Sequence, residues 1–197
     1  FLVSMVTKHW ALVGSPNSGK TTLYNWLTGA NSKTVNYPGS TVEVSSGMLK
    51  SQLAEKIQSQ FQIKITDTPG VYSLVPQSED ETVTYKLLFS ETFQVDGVLL
   101  VIDATQLHRQ LILAKQISES GYKCVCVLSM NDLLQKNSIQ FDLKKLQDSL
   151  GVRCVLFEGI LGKGLDEVLN SLNFASDELS DKTRNIVPFK PWTLDEK

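Results

Sequence analysis

The sequence predicts an α/β fold, with a mostly parallel six-stranded sheet and helices on both of its faces. Short apolar runs of strand length alternate with segments whose apolar residues recur at i, i+3 and i+4, the order that strand–helix–strand crossovers produce. The runs at 95–102 and 122–128 are nearly continuous in apolar residues, as strands covered on both faces must be. The chain has 197 residues, 42% hydrophobic and 20% charged. That is ordinary globular composition, with length enough for one real core and at most a small appendage.

Each element has its own signal. Residues 10–13 form a short strand that leads directly into a glycine-rich turn. From Lys20 a helix carries Leu23, Trp26 and Leu27 on one face and stops near Gly29. Residues 30–42 have no period and read as a mobile loop. Segments 42–49 and 61–66 alternate and can pair as antiparallel neighbours, and 95–102 is a buried strand. Leu107, Leu111, Ala114 and Ile117 mark an amphipathic helix that Gly121 ends. A strand at 123–128 follows, then a helix capped by Asp142 that bears Leu143, Leu146 and Leu150 and stops at Gly151. Residues 152–157 give the last strand, and Leu165, Val168, Leu169 and Leu172 the last helix. Residues 5–174 thus read as one domain. The polar stretch 175–197, with Pro188 and Pro191, reads as a linker or the truncated start of a helical domain. Met5 reads as the natural start, and residues 1–4 as an addition before it.

Composition excludes several function classes. Nineteen basic against 21 acidic residues give a net charge of −2, which argues against a nucleic-acid partner. Three cysteines cannot complete a disulfide framework, so a reducing compartment is the natural reading. Cys124, Cys126 and Cys154 read as buried thiols. His9 and His108 fall on different elements, which speaks against a histidine metal centre. No apolar run approaches the ~18 to 20 residues of a spanning helix, and the first residues are too few for a secretory signal. The chain reads as soluble.

The chemistry begins at Gly14-Ser15-Pro16-Asn17-Ser18-Gly19-Lys20-Thr21, followed by Thr22. This is the G-x-x-x-x-G-K-[ST] pattern, placed after a strand and opening a helix, which makes the class a P-loop NTPase. Its glycines let backbone N–H groups turn inward, the helix start adds a positive dipole end, and Lys20 adds a charge for the outer phosphates. Thr21 offers a hydroxyl to magnesium. Asp67-Thr68-Pro69-Gly70 ends a later strand. Asp67 can hold magnesium through water there, and the Gly70 N–H can meet a γ-phosphate. A D-x-x-G element favours a GTPase switch over a general ATPase.

Four stretches, Gly14 to Thr22, NYPGSTVE at 36–43, DTPGVYSL at 67–74 and VIDAT at 101–105, resemble the cytosolic GTPase domain of FeoB, the bacterial ferrous-iron transporter family. The resemblance runs from about residue 8 to 172. It implies a Ras-like fold followed by a small helical domain and a membrane permease in the same polypeptide. The chain would then be an excised cytoplasmic domain of an inner-membrane protein. The resemblance is also compatible with an oligomer of the full-length transporter. The function it implies is GTP binding and slow hydrolysis, a regulatory switch for ferrous-iron transport. Thr41 matches the family's switch threonine, which closes on magnesium and γ-phosphate. Asn17 matches the P-loop asparagine that helps ligate an activating potassium ion. Val71 stands where other GTPases carry a water-orienting glutamine, so water is left to backbone groups.

The base site departs from the usual N-[KM]-x-D pattern and reads Ser129-Met130-Asn131-Asp132. Asp132 can accept from guanine N1–H and the 2-amino group together, a pair adenine does not offer. Ser129 replaces an amide that contacts the base and ties this loop to the P-loop, and its hydroxyl is shorter. In the last loop the Gly159 N–H can meet guanine O6, but Glu158 stands where a turn-stabilising serine is expected. Losing one or two hydrogen bonds costs on the order of 1 to 3 kcal/mol, so weak guanine-nucleotide binding with fast exchange is expected. Two other functions fit the residues: a nucleotide sensor with negligible turnover, and an RNA- or ribosome-associated GTPase, which the acidic balance disfavours.

Overall fold

The computed structural model describes residues 6–29, 32–90, 93–136, 142–178 and 186–187. Strands β1 (Thr7–Gly14), β2 (Lys33–Asn36), β3 (Glu43–Met48), β4 (Gln62–Asp67), β5 (Gly97–Asp103), β6 (Lys123–Ser129) and β7 (Arg153–Leu156) form one sheet. Their order is β2-β3-β4-β1-β5-β6-β7. Neighbours from β4 to β7 run parallel, while β2 and β3 form an antiparallel hairpin added at the β4 edge. The helices are α1 (Lys20–Leu27), α2 (Ser51–Lys56), α3 (Glu79–Phe89), α4 (Leu107–Glu119), α5 (Asn131–Lys136), α6 (Leu143–Leu150) and α7 (Leu165–Glu178).

The sheet has seven strands, where the sequence predicts six. The extra one, β2, lies in the stretch read as a loop. All four of its side chains are exposed, so no apolar alternation announces it, and its strand geometry comes from the ladder Lys33↔Ser46 to Asn36↔Glu43. Helix α3 was equally silent in apolar pattern, yet its start carries a cap signal. Ser78 accepts from the Glu81 N–H, while the Glu81 carboxylate accepts from the Gln77 N–H at 2.8 Å.

The continuous run in β5 is buried at every position, and alternation splits it between two cores. Leu99 and Val101 join Trp10, Leu12, Val125 and Val127 against α1 and α7. Val98, Leu100 and Ile102 join Ala11, Val13, Cys126 and Leu128 on the opposite face, with Leu113, Ala114 and Ile117 of α4. The three cysteines are free; Cys126 and Cys154 are buried and lie opposite each other across β6 and β7. Burial pushes the Cys124 thiol up to about 12, so it is inert at neutral pH.

The predicted stripe of α4 packs into the core at Leu107, Ala114 and Ile117 and departs at Leu111. Leu111 is exposed and Gln110 buried, because the Gln110 side-chain oxygen accepts from the Asp103 N–H at 3.1 Å. A buried amide that caps a strand end is satisfied there. Helix α7 continues to Glu178, with Ala175 and Ser176 buried and Trp10 Nε1 donating to Ser176 Oγ at 3.1 Å. Beyond Glu178, only Ile186 and Val187 of the stretch read as linker lie among the described residues. Among the described residues of the whole chain, no helix is long and apolar enough to cross a membrane.

One polar network crosses the sheet beside its apolar cores. His9 Nε2 pairs with Thr66 Oγ1 at 2.7 Å, Thr66 Oγ1 with Ser46 Oγ at 2.6 Å, and His9 Nδ1 with the Phe93 carbonyl at 3.1 Å. Burial first, and then Lys64, lower the imidazole from its ordinary value of 6.5 against the opposing pull of Asp96. The fold therefore favours neutral His9, and the unfolded chain takes up a proton first on acidification. The stability tied to His9 is present above pH 6.5 and is lost as pH falls below it. A melting series from pH 7.5 to 5.5 should show a declining midpoint, with a shallower decline in His9→Gln.

Candidate functional site: a phosphate loop joined to a base cavity

Strand β1 delivers the chain at Gly14, and α1 takes it up at Lys20. Between them the loop folds tightly enough to require its glycines. A Cβ on Gly14 would sit 2.3 Å from the Val101 carbonyl oxygen. Gly19 has φ 90° and Asn17 φ 61°, the left-handed region where glycine and asparagine are tolerated. Ser18 N–H donates to the Ser15 carbonyl at 3.2 Å. Helix α1 has no side-chain cap, so its first N–H groups are available to an anion. A cavity of about 330 Å³ opens there, walled by Ser15, Asn17, Lys20, Thr21 and Thr22. Pro16 and Asn17 are exposed on its rim.

Asp67, at the end of β4, bonds two residues of this cavity's wall with its two carboxylate oxygens. Lys20 Nζ lies 3.0 Å from one, and Thr21 Oγ1 donates to the other at 2.8 Å. The Lys20 and Asp67 side chains are only 9% and 11% exposed. A lysine charge taken that far from water needs a partner, and Asp67 is that partner. Hydroxyl and carboxylate oxygens side by side are also the hard donors that magnesium selects.

The segment after Asp67 is pinned to the phosphate loop. Thr68 Oγ1 donates to the Leu12 carbonyl at 2.7 Å, and Val71 N–H to Gly14 at 3.0 Å. Gly70 comes so close that a Cβ would meet Pro16 N at 2.8 Å. Thr84 of α3 donates to the Pro69 carbonyl at 3.0 Å, and Leu74 N–H to the Gln116 side chain of α4 at 2.7 Å. Val71 itself is buried. Gln116 stands outside the predicted stripe of Leu107, Leu111, Ala114 and Ile117, and no motif marks it for its bond to Leu74.

Thr41 is not bonded to Lys20, Thr21 or Asp67. Its N–H donates to Glu79 Oε1 at 3.3 Å, and Ser40 Oγ donates to the same oxygen at 2.6 Å. These two bonds, the Ser40 hydroxyl first, hold the Glu79 carboxyl below its ordinary range. They fasten the 37–42 turn to the first turn of α3. No motif in the sequence marks Glu79 for this.

A second cavity, about 390 Å³, continues from the first past Gly19, Thr22 and Met130. Asp132 and Ser129 bring its polar groups, and Leu133, Phe157 and Ile160 its apolar wall. Ser129 Oγ donates to the Ser18 carbonyl at 2.6 Å and to the Ile102 carbonyl at 3.2 Å. The short hydroxyl therefore makes the tie to the phosphate loop itself. Gly19 lies alongside, where a Cβ would stand 3.4 Å from Ser129 Cβ, an ordinary van der Waals contact. Met130 turns with φ 57°, and Asp132 follows on α5, 3.9 Å from Lys136. Glu158 closes its loop through the backbone, its N–H donating to Lys163 at 2.9 Å and its carbonyl accepting from Gly162 at 2.8 Å. Trp26 Nε1 donates to the Gly159 carbonyl at 2.8 Å, fixing Gly159 beside Thr22.

A parallel sheet with a phosphate loop after β1, a D-x-x-G segment after β4 and a base cavity beyond β6 defines a P-loop GTPase of Ras-like topology. The chain belongs to the ferrous iron transport protein B (FeoB) family, whose model matches residues 8–172. An Fe(2+) transporter FeoB of Leptospira biflexa is 41% identical over 169 residues, 86% of this chain and 23% of that protein. One of Legionella pneumophila (strain Paris) is 36% identical over 175 residues, 87% of this chain and 22% of that protein. The chain thus spans about a quarter or less of the length of these relatives. Among solved structures, a GDP-bound mutant of S. thermophilus NFeoB is 36% identical, with TM-score 0.76, covering 85% of this chain and 62% of that one. The G domain of T. maritima FeoB is 31% identical, with TM-score 0.75, covering 86% and 99%.

Two outcomes follow from the pinned segments. Gly70→Ala should lower stability by about 1 to 3 kcal/mol, read as a denaturant midpoint, because the new methyl meets Pro16 backbone. Glu79→Gln should speed amide exchange at Thr41. In the parent chain the docking persists above the carboxylate range, and the protection of the Thr41 amide relative to an unfolded amide at the same pH should fall as pH falls through the lowered Glu79 value.

Proposed function

We propose that this domain binds GTP with magnesium, hydrolyses it slowly, and acts as the regulatory switch of a ferrous-iron transporter. The permease would belong to the same polypeptide in a bacterial inner membrane, with this domain on the cytoplasmic side. The reading rests on the Asp67 carboxylate, which holds Lys20 and Thr21 together at the mouth of a cavity that continues to Asp132. Phosphate, magnesium and base sites lie along one cleft, in the order a nucleotide presents them.

Each residue has a defined task. Backbone N–H groups of Gly14 to Thr22 and the Lys20 ammonium would take the β- and γ-phosphates, with Gly70 N–H at the γ-phosphate. Thr21, Asp67 and, on closure, Thr41 would hold magnesium, which when bound neutralises charge on the transferred phosphoryl group. Water attacks the γ-phosphorus and the β–γ bridging bond breaks, leaving GDP and phosphate. Val71 is buried and apolar, so no side chain at that position orients the water, which supports a slow rate. The Asn17 amide oxygen, exposed at the phosphate cavity, is a hard donor suited to potassium near the β–γ bridge, where charge develops. Thr41 would have to leave Glu79 to close the site, which makes the 37–42 turn the moving part.

Single-turnover hydrolysis should run faster in potassium than in sodium, and Asn17→Ala should erase the difference. No loss of GTP in either cation would instead support a nucleotide sensor, which the buried Val71 also favours. In fluorescence titrations, GDP and GTP should bind in the micromolar range or weaker, and ATP at least tenfold more weakly than GTP. Submicromolar GDP binding, or equal binding of ATP, contradicts the base-site account.

A further inference from the structure

We infer that the base cavity does not read the N7 edge of the purine, so that guanine is chosen through its Watson–Crick edge. The inference rests on the guanine-nucleotide reading above. N7 of guanine is an acceptor only, and a protein can read it only with a donor. At the start of the base loop the side chain is Ser129, whose hydroxyl carries one proton. That proton is directed at two carbonyl oxygens, Ser18 at 2.6 Å and Ile102 at 3.2 Å. Neither acceptor can return a proton, and the remaining Ser129 lone pairs repel N7 rather than bind it.

The other groups do not replace it. Asn131, the nearest amide in the chain, is buried and forms no part of the cavity wall. Asp132 is an acceptor and complements the N1–H and 2-amino donors. Thr22 turns its methyl toward Gly159. Leu133, Phe157 and Ile160 bring apolar side chains to the wall, with no side-chain donor. Ser129 is thus spent on holding the base loop to the phosphate loop, and selection falls to Asp132 with the Gly159 N–H. The ligands this admits are guanine nucleotides altered at position 7, a class that an amide at position 129 would reject.

The test compares GDP, 7-deaza-GDP, inosine diphosphate and ADP by competition against a ribose-labelled GDP. 7-Deaza-GDP, with C–H in place of N7, should bind within about twofold of GDP. Inosine diphosphate, lacking the 2-amino donor, should bind about tenfold more weakly. Ser129→Asn, with a melting curve as a check on folding, should regain an N7 donor and then disfavour 7-deaza-GDP about tenfold. GDP binding with 7-deaza-GDP tenfold weaker on the parent chain overturns the inference and leaves the guanine-nucleotide reading standing. No GDP binding, or ADP binding as well as GDP, overturns that reading, and the inference with it.

Discussion

The site is organised around one buried carboxylate. Parallel pairing of β1 with β4 in the register Leu12↔Asp67 brings Asp67 to the strand ends where the phosphate loop begins. From there it holds Lys20 and Thr21 in place. Without that partner, Lys20 would be an unpaired charge with almost no access to water, a condition that costs several kcal/mol or expels the side chain. The bridge therefore keeps Lys20 paired while no phosphate is present, and sets the terms on which phosphates would enter. On the proposed reading, an incoming polyphosphate would take over Lys20, and a cation would take over Asp67 and Thr21. Either exchange alone leaves a buried charge unmatched, so the two exchanges are coupled.

That coupling gives the surrounding connections their meaning. The 67–74 segment is fastened to β1, α3 and α4 by Thr68, Thr84 and Gln116, so whatever moves Asp67 is felt in two helices. The 37–42 turn has exposed polar ties, Ser40 and Thr41 to Glu79, and at its ends Tyr37 and Val42 pack against the small cluster of Val44, Val83 and Leu87. Its aromatic end, Tyr37, stacks on Phe93 at 5.4 Å, and the Phe93 carbonyl bonds His9. A rigid phosphate platform beside a weakly held turn is the arrangement that a ligand-ordered switch needs.

Much of this was legible in the sequence, and the limits have physical causes. The phosphate loop could be read because backbone geometry forces glycine at Gly14 and chemistry forces Lys20 and Thr21. The central strands could be read because two-sided burial leaves no polar side chain in β5 before Asp103. Strand β2 escaped because an exposed edge strand is made by its partner's hydrogen bonds, not by its own side chains. Glu79 and Gln116 escaped because each acts on backbone groups of a distant segment, which no local pattern encodes. Ser129 was read as too short to tie the base loop to the phosphate loop. How close the end of β6 comes to the phosphate loop is a tertiary fact, and at that distance the hydroxyl reaches the Ser18 carbonyl.

The most direct test of the Asp67 bridge is the affinity of GDP for the parent chain and for Asp67→Asn, measured with and without magnesium. If Asp67 competes with phosphate for Lys20, the variant should bind magnesium-free GDP more tightly than the parent, and added magnesium should help it less. Equal or weaker magnesium-free binding by Asp67→Asn would contradict the account.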